Sequence, residues 1–451
     1  MGPGRRQMNA PALQSGLGRL TDLDALVGPY GLVERTYRLP THPGDPRFPI
    51  FSASLGDLAQ VVDNIAESTR GRSSRGEMDG AGGAVDPERA ARLSVAEALE
   101  RYATSVVQPG SVIWATAEEL GDEAMDLMSF PRCSPAELAH PRALTVDVDT
   151  KAPMRWVRGW SLTAQKTQWV PAVGVWMHIA PQSRAERYTN PISTGCATHT
   201  DLAQALVNAV CEVVERDAIA LTWYQRLALP RIDFDMVPEN LAPFLEKSRN
   251  SLVETAFFDA TTDLGIPTIY SVDLSPNNEV LGQMVMCNTS LDPVDSVAKI
   301  VRESASSRIA MQVPREMPPS VDDFMHVFHG AAYMGRPDRR TDFDFLLEGR
   351  ARRPLSELPV LVTGDSRQDL ALLVQRLKQS GCDLVAVECT TDEARDVGFR
   401  VVRVIIPQLM PLSFTHRARY LAHPRLYEAP ARMGYPVHME ADINPHPQPF
   451  A

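Results

Sequence analysis

The chain has 451 residues, 44% hydrophobic and 22% charged, with 45 Lys and Arg against 56 Asp and Glu for a formal net charge of -11. That is enough chain for a large core in two or three lobes, and the acidic balance argues against a nucleic-acid binder, which needs a basic face. The six cysteines show neither C-x-x-C nor a tight disulfide spacing, and neither an apolar h-region near Arg5 and Arg6 nor eighteen consecutive apolar residues is present, so a reduced, cytoplasmic setting without a membrane span is expected.

Residues 20–58 are mixed and short in pattern. Residues 68–88 are rich in Gly, Ser, Arg and Asp and include Gly80-Ala81-Gly82-Gly83. They read as a flexible loop, a flap or a plain linker, that closes an N-terminal segment 1–79 and leads into a helix. That helix carries Glu97-Ala-Leu-Glu100-Arg101 among Leu93, Ala96, Ala98, Leu99, Tyr102 and Ala103. Between residues 155 and 178, Trp156, Trp160, Trp169 and Trp176 mark apolar runs around Pro171, read as strands joined by a turn with the tryptophans in the core.

After Thr194-Gly195-Cys196-Ala197, small residues that suit a phosphate before a helix N-terminus, Thr200 is the candidate N-cap of a long helix. Residues 202–221 of that helix are apolar except for Gln204, Asn208, Glu212, Glu215, Arg216 and Asp217, and the first four of these form one stripe. Strands are predicted at 268–274 and 280–286, followed by a helix through Ile300, Arg302, Glu303 and Arg308. Residues 359–363, 370–380, 384–387 and 401–406 have a β-α-β-α-β rhythm. Thr363-Gly364-Asp365 within it reads as a structural turn rather than a nucleotide site, because G-x-G-x-x-G is missing. The chain ends in strictly alternating prolines, Pro445, Pro447 and Pro449, which favour a stiff extended arm over a disordered tail.

The pentad Glu-x-x-Glu-Arg thus occurs twice, at Glu97 to Arg101 and at Glu212 to Arg216. Each could be an ordinary i,i+4 pair on a solvated helix. The second, however, lies in a helix apolar nearly all round, which must be buried, and buried carboxylates need partners or a metal. Residues three apart share a helix face, so four convergent carboxylates point to magnesium. No H-E-x-x-H occurs, and His326 with His329 lacks an acidic or thiol companion, so zinc is not expected. No G-x-x-x-x-G-K-[ST] loop is present either, and a nucleotide would be held without a Walker cradle.

Residues 80–101 (GAGGAVDPERAARLSVAEALER), 193–217 (STGCATHTDLAQALVNAVCEVVERD), 303–308, 401–411 (VVRVIIPQLMP) and the terminal P-x-P-x-P resemble the YcaO family, ATP-using enzymes that activate peptide backbone amides. The resemblance spans residues 80–451, with residues 445–451 as the Pro-rich arm. It implies an α/β (mixed α+β) YcaO-type fold in which acidic helices packed on sheets form a non-Walker ATP cleft. The implied cofactors are ATP and Mg2+. Glu97, Glu100, Glu212 and Glu215 would be metal and ATP ligands, with Arg101, Thr200, Gln204, Arg216 and Arg308 as further ATP contacts. Gln204 stands where a Glu is commoner in the family, and Thr194, His199 and Thr200 where Asn, Gly and Asn are often found.

Members with this tail resemble azoline-forming cyclodehydratases. A Cys, Ser or Thr of a ribosomally made precursor peptide would attack the preceding carbonyl, ATP would phosphorylate the oxyanion, and loss of phosphate would leave thiazoline or oxazoline. Pro445, Pro447 and Pro449 would hold the Ala451 carboxylate as proton acceptor. The implied partners are a ThiF-like substrate-delivery protein, the precursor peptide and a flavin-dependent dehydrogenase, around a homodimer, with neither nucleic acid nor membrane. Thioamide or amidine formation on the same fold, and a catalytically silent scaffold subunit, stay open as alternatives.

Overall fold

The computed structural model describes residues 22–450 except 109 and 191. Ala451, the expected proton acceptor, lies outside the described residues. In chain order the strands are β1 (Arg35–Leu39), β2 (Ile50–Ser54), β3 (Gly80–Gly83), β4 (Val112–Ala115), β5 (Met154–Ser161), β6 (Lys166–Pro171), β7 (Cys196–His199), β8 (Arg231–Asp233), β9 (Glu254–Asp259), β10 (Thr268–Leu274), β11 (Gln283–Thr289), β12 (Arg352–Pro354), β13 (Val385–Glu388) and β14 (Arg400–Ile405). They form three sheets, β1-β2-β3, β11-β10-β9-β8-β12, and β4-β5-β13-β14-β7 with β6 on the free side of β5. Among these strands only the β8–β12 pairing is parallel.

Several expectations change at this level. The rhythm across residues 359–406 is not a parallel βαβ unit: residues 359–363 form no strand, and β13 pairs β14 antiparallel. A short helix, Asp392–Asp396, joins the two. The strand expected at 280–286 is β11, three residues later, in full register with β10. The turn between the tryptophan-bearing strands falls at 162–165, with Pro171 at the end of β6. Trp156 and Trp176 are core residues, whereas Trp160 is exposed. The first sheet joins β1 and β2 to β3, so a boundary at 79/80 would cut through it.

Five helices position the site: α1 (Pro87–Ala103), α2 (Leu202–Tyr224), α3 (Pro293–Met311), α4 (Ser366–Gln379) and α5 (Arg425–Arg432). The first four start at an aspartate whose carboxylate accepts a backbone N–H of the first turn: Asp86, Asp201, Asp292 and Asp365. Proline occupies the first helical position of α1 and α3, where no N–H is needed. Asp201 is thus the cap of α2 in place of Thr200, and Thr363-Gly364-Asp365 is the turn that starts α4.

α2 is the central element. Its N-terminal half packs in one apolar cluster with α4, β7 and β14 through Ala205, Val210, Leu373, Val402 and Val404. Its C-terminal half packs in another with β10, β11 and the C-terminal segment through Leu221, Trp223, Val272, Val285 and Phe450. A helix covered on nearly every side can be apolar all round, which is why polar positions on it mark something other than solvent contact.

Behind α2 an ion pair locks the C-terminal segment in place. Arg425 meets Asp217 at 2.6 Å and Asp263 at 2.8 Å, with the Asp217 side chain fully buried, and Asp217 also accepts the Met410 N–H at 2.8 Å. Removing one partner leaves a buried charge unmatched, so Asp217→Ala is expected to cost roughly 3–5 kcal/mol in urea unfolding. A loss below about 1 kcal/mol, the scale of an exposed pair, would contradict the assignment.

Candidate functional site

α1 and α2 both pack against β7, the edge strand of the six-stranded sheet. α1 is pressed against β3: a Cβ on Gly82 would meet the Ala90 carbonyl oxygen at 2.2 Å and the Ser94 nitrogen at 2.3 Å. The glycine run expected as a mobile flap is therefore a strand, and its glycines are there for close backbone approach. That closeness lets the Ala81 N–H donate to Glu97 Oε2 at 3.0 Å. Arg101 fixes the other oxygen, donating to Oε1 from Nε at 3.0 Å and from Nη2 at 2.6 Å.

On α2, Glu212 is held by the same logic. The Gly195 N–H donates to its Oε2 at 3.1 Å and Arg216 Nη2 to its Oε1 at 3.1 Å. Gly195 has φ +83°, and a Cβ there would lie 2.2 Å from the Val404 carbonyl oxygen, so only glycine serves. Glu215 is buried and accepts Asn288 Nδ2 at 2.9 Å and the Thr289 N–H at 3.2 Å, both from β11, with Arg216 Nη1 at 3.7 Å.

The two pentads sense each other through Glu100. Burial first, then the neighbouring Glu212 and Glu97, push its carboxyl up to about 8, against the pull of Arg101. Burial also raises Glu215, more than Arg216 and Lys299 lower it. α3 completes the cluster with residues that the pentads did not announce. Lys299 stands 3.9 Å from Glu303, and Arg302 bonds Glu303 at 3.0 Å. Glu303 draws Lys299 upward against burial, with Glu215 and Glu212 adding to it. Five carboxylates thus face four cations, with a proton on Glu100 as the balancing charge at neutral pH. A Lys at i and a Glu at i+4 on an amphipathic helix is the sequence signal for this third element, but it is too common to single out.

Among the described residues no group of three or more His, Cys, Asp or Glu is placed to hold a metal ion. Three of the four glutamates are turned onto arginines and backbone N–H groups instead. The donor set still fits a hard divalent cation, because it is all oxygen and because Glu100 carries a proton that such a cation would displace.

The other expected site residues divide. The arm is docked: Trp223 Nε1 donates to the His446 carbonyl at 3.2 Å, Asn444 Nδ2 to the Trp223 carbonyl at 3.1 Å, and His446 Nε2 lies 3.3 Å from Asp342. Pro445 is exposed, Pro447 and Pro449 are buried, and the Phe450 ring lies under the Arg216 guanidinium with 4.8 Å to its centroid. Gln204 Nε2 donates to Asn208 at 2.9 Å, one turn before Glu212 on the same face. Thr200 sits in the bend between β7 and the Asp201 cap. Arg308 is not brought to the glutamates: it is buried on α3 against Asp45 at 2.7 Å, because nine residues separate it from Lys299 and half a turn of helix points it to the other side.

A family model described as YcaO cyclodehydratase, ATP- and Mg2+-binding, matches residues 81–410. The chain belongs to the YcaO family. A solved heterocyclase in complex with substrate and cofactor superposes with a TM-score of 0.78 at 23% identity, over 96% of this chain and 56% of its own, so the chain spans about half the length of that heterocyclase. YcaO from Methanopyrus kandleri, bound with AMPPCP and Mg2+, superposes with a TM-score of 0.58 at 16% identity over 84% of this chain and 86% of its own. A chain of the E. coli microcin synthetase McbBCD complex superposes with a TM-score of 0.61 at 14% identity over 92% and 96%. At such identities the likeness is one of fold. Among the described residues no helix is long and apolar enough to cross a membrane.

Glu100 makes the site testable by pH. Between about 4.5 and about 8 the folded chain keeps a proton that the unfolded chain has lost, so this group's contribution to stability falls as pH rises, by about 1.4 kcal/mol per unit at most. Glu100→Gln removes that fall. Thermal melts should give equal stability for the two proteins near pH 5 and a more stable variant at pH 8 and above. A variant less stable than the parent at pH 8 would contradict the raised carboxyl.

Proposed function

We propose that this chain is the ATP-using subunit of a peptide cyclodehydratase. It would convert Cys, Ser or Thr of a ribosomally made precursor into thiazoline or oxazoline. The observation that carries the reading is the approach of Glu100 to Glu212 from two different helices that both pack on β7, with the docked arm laid on Arg216. A salt-bridged helix surface has no need to bury like charges together. A site that receives a divalent cation and a triphosphate does.

In this reading Glu97, Glu100, Glu212 and Glu215 hold the magnesium that accompanies ATP, and Arg101 and Arg216 orient those carboxylates and face the phosphates. When bound, the ion would neutralise charge moving on the phosphoryl group. The substrate's thiol or hydroxyl attacks the preceding carbonyl carbon, its proton passing to a base. The resulting oxyanion takes the terminal phosphoryl of ATP, releasing ADP. The nitrogen lone pair then expels phosphate as the amide proton leaves, and the ring C=N forms. Phosphorylation matters because a bare amide oxygen is a poor leaving group. The arm supports azoline chemistry: Trp223 of α2 holds His446 and Asn444, Pro447 and Pro449 are buried, and the Phe450 ring lies against Arg216, so a stiff Pro-rich segment is brought to the acidic cluster.

The reading extends to partners. The heterocyclase captured with substrate and the microcin synthetase captured as a complex support a precursor peptide and further protein chains around this fold. The partners proposed are a ThiF-like delivery protein and, for oxidation to azoles, a flavin-dependent dehydrogenase, acting on a homodimer in the cytoplasm. Free thiols at all six cysteines fit that compartment.

With precursor peptide and delivery protein present, ATP consumption should rise and the product should be lighter by one water per ring. Glu212→Gln and Glu215→Gln should each lower that turnover on the order of 100-fold with the fold retained. A heavier product from sulfur-for-oxygen exchange, or unchanged turnover in both variants, would defeat the proposal. Phe450→Ala frees the end of the arm from Arg216 and should reduce ring formation more than ATP binding; equal effects on both would contradict a catalytic arm.

A further inference from the structure

Among the described residues, one buried arginine has no ion-pair partner. Arg403, on β14, is 6% exposed, and among the described residues no carboxylate lies within ion-pair range of it. Its one hydrogen bond runs from Nη1 to Cys196 Sγ at 2.9 Å, and its Nε–H, fully enclosed, has no acceptor. Burial keeps that thiol neutral, pushed up to about 11 against the pull of Arg403, so it offsets none of the charge. A guanidinium removed from water without an ion-pair partner is destabilising. Such a group persists where a ligand supplies the missing acceptor.

The position of Arg403 says which ligand. It lines a cavity of ≈ 110 Å³ together with Thr194, whose hydroxyl is likewise buried without a partner. Alternation along β14 puts Arg403 on the strand face that carries Ile405, and Ile405 lies beside Gly174 in the same lining. The remaining walls are mostly apolar, with Phe130, Ile192, Leu409 and Met410 among them, and Thr189, Asn190 and Tyr420 are the other polar residues of the lining. Thr194 precedes Gly195, whose N–H holds Glu212, so the cavity adjoins the acidic cluster. Two orphaned donors in a mostly apolar chamber call for one oxygen acceptor attached to a small apolar group. A triphosphate would need polar walls, and a whole nucleotide needs the several hundred Å³ typical of ligand pockets, roughly 300 or more.

We infer that Arg403 and Thr194 receive the carbonyl oxygen of the substrate amide and hold the negative charge that it acquires. The inference rests on the cyclodehydratase reading and adds the group that binds the reacting atom. As the substrate sulfur or oxygen bonds to the carbonyl carbon, the C=O electron pair moves onto this oxygen, and the nucleophile's proton passes to the base. The oxygen then accepts the phosphoryl group from ATP bound at the neighbouring glutamates. Donors fixed in advance at the site of developing charge are worth roughly 100-fold or more in rate. Holding a guanidinium ready without an anion is the stability given up for it.

The test uses Arg403→Met, which keeps length and apolar contact, and Thr194→Val, which keeps shape. Two blocked tripeptides centred on Cys serve as probes, one intact and one with the carbonyl before Cys reduced to methylene. The parent protein should bind the intact peptide about 10-fold more tightly than the reduced one, and both variants should lose that preference. Arg403→Met should keep its affinity for Mg-AMPPCP, melt no lower than the parent, and form rings about 100-fold more slowly. Absence of any preference in the parent, or a melting temperature that falls with the activity, would overturn the inference. So would weakened Mg-AMPPCP binding with the peptide preference intact, which would assign the oxygen to a phosphate. Failure of the cyclodehydratase reading looks different: the parent itself would neither bind Mg-AMPPCP nor release phosphate in response to peptide.

Discussion

Two helices that share no sequence neighbourhood bring carboxylates to the same place, and mutual repulsion there is the constraint around which the molecule is arranged. Left alone, Glu100 and Glu212 would drive α1 and α2 apart or remain protonated. The chain contains them with backbone rather than with bulk. Both helices pack on β7, Gly195 offers its N–H to Glu212, and the β3 glycines let α1 come close enough for Ala81 to do the same for Glu97. Arg101 and Arg216 then each offset one carboxylate of their own pentad.

The consequence is a site close to electrical balance, ready to exchange a proton for a cation. It also explains the burial of α2. Glu215 can be fixed by Asn288 and Thr289 only if β11 lies directly on the helix, and the Phe450 ring can cover Arg216 only if the C-terminal segment returns to it. The Asp217–Arg425 pair, two residues beyond Glu215 and turned to another side of α2, tethers that returning segment. Packing and electrostatics are coupled along one helix: its apolar residues hold two sheets together and its polar ones are what the sheets are held around.

Much of this could be read from residue pattern. The pentads, the stripe at Gln204, Asn208, Glu212 and Glu215, and the stiff arm are local features whose period or composition carries their meaning. What escaped was non-local or degenerate. The run at Gly80 has the composition of a loop, and only the closeness of α1 shows why a strand needs glycine there. Thr200 and Asp201 are both good caps, and side-chain choice between adjacent residues leaves no periodic trace. Arg308 was assigned to ATP by its place in a motif, whereas helix phase turns it onto Asp45. Arg403 was hidden inside the apolar run VVRVIIP, where one charged residue in a strand reads as an outward-facing position until the sheet is known to be covered on both faces.

The central claim is that the oxygen removed from the peptide bond leaves on phosphate. The most direct measurement labels the backbone carbonyl before the reacting residue with the heavy isotope of oxygen and follows the label by mass spectrometry of the released phosphate. The account predicts one label in phosphate for each ring formed. Label released into water, with unlabelled phosphate, would mean that ATP is spent elsewhere and would contradict it.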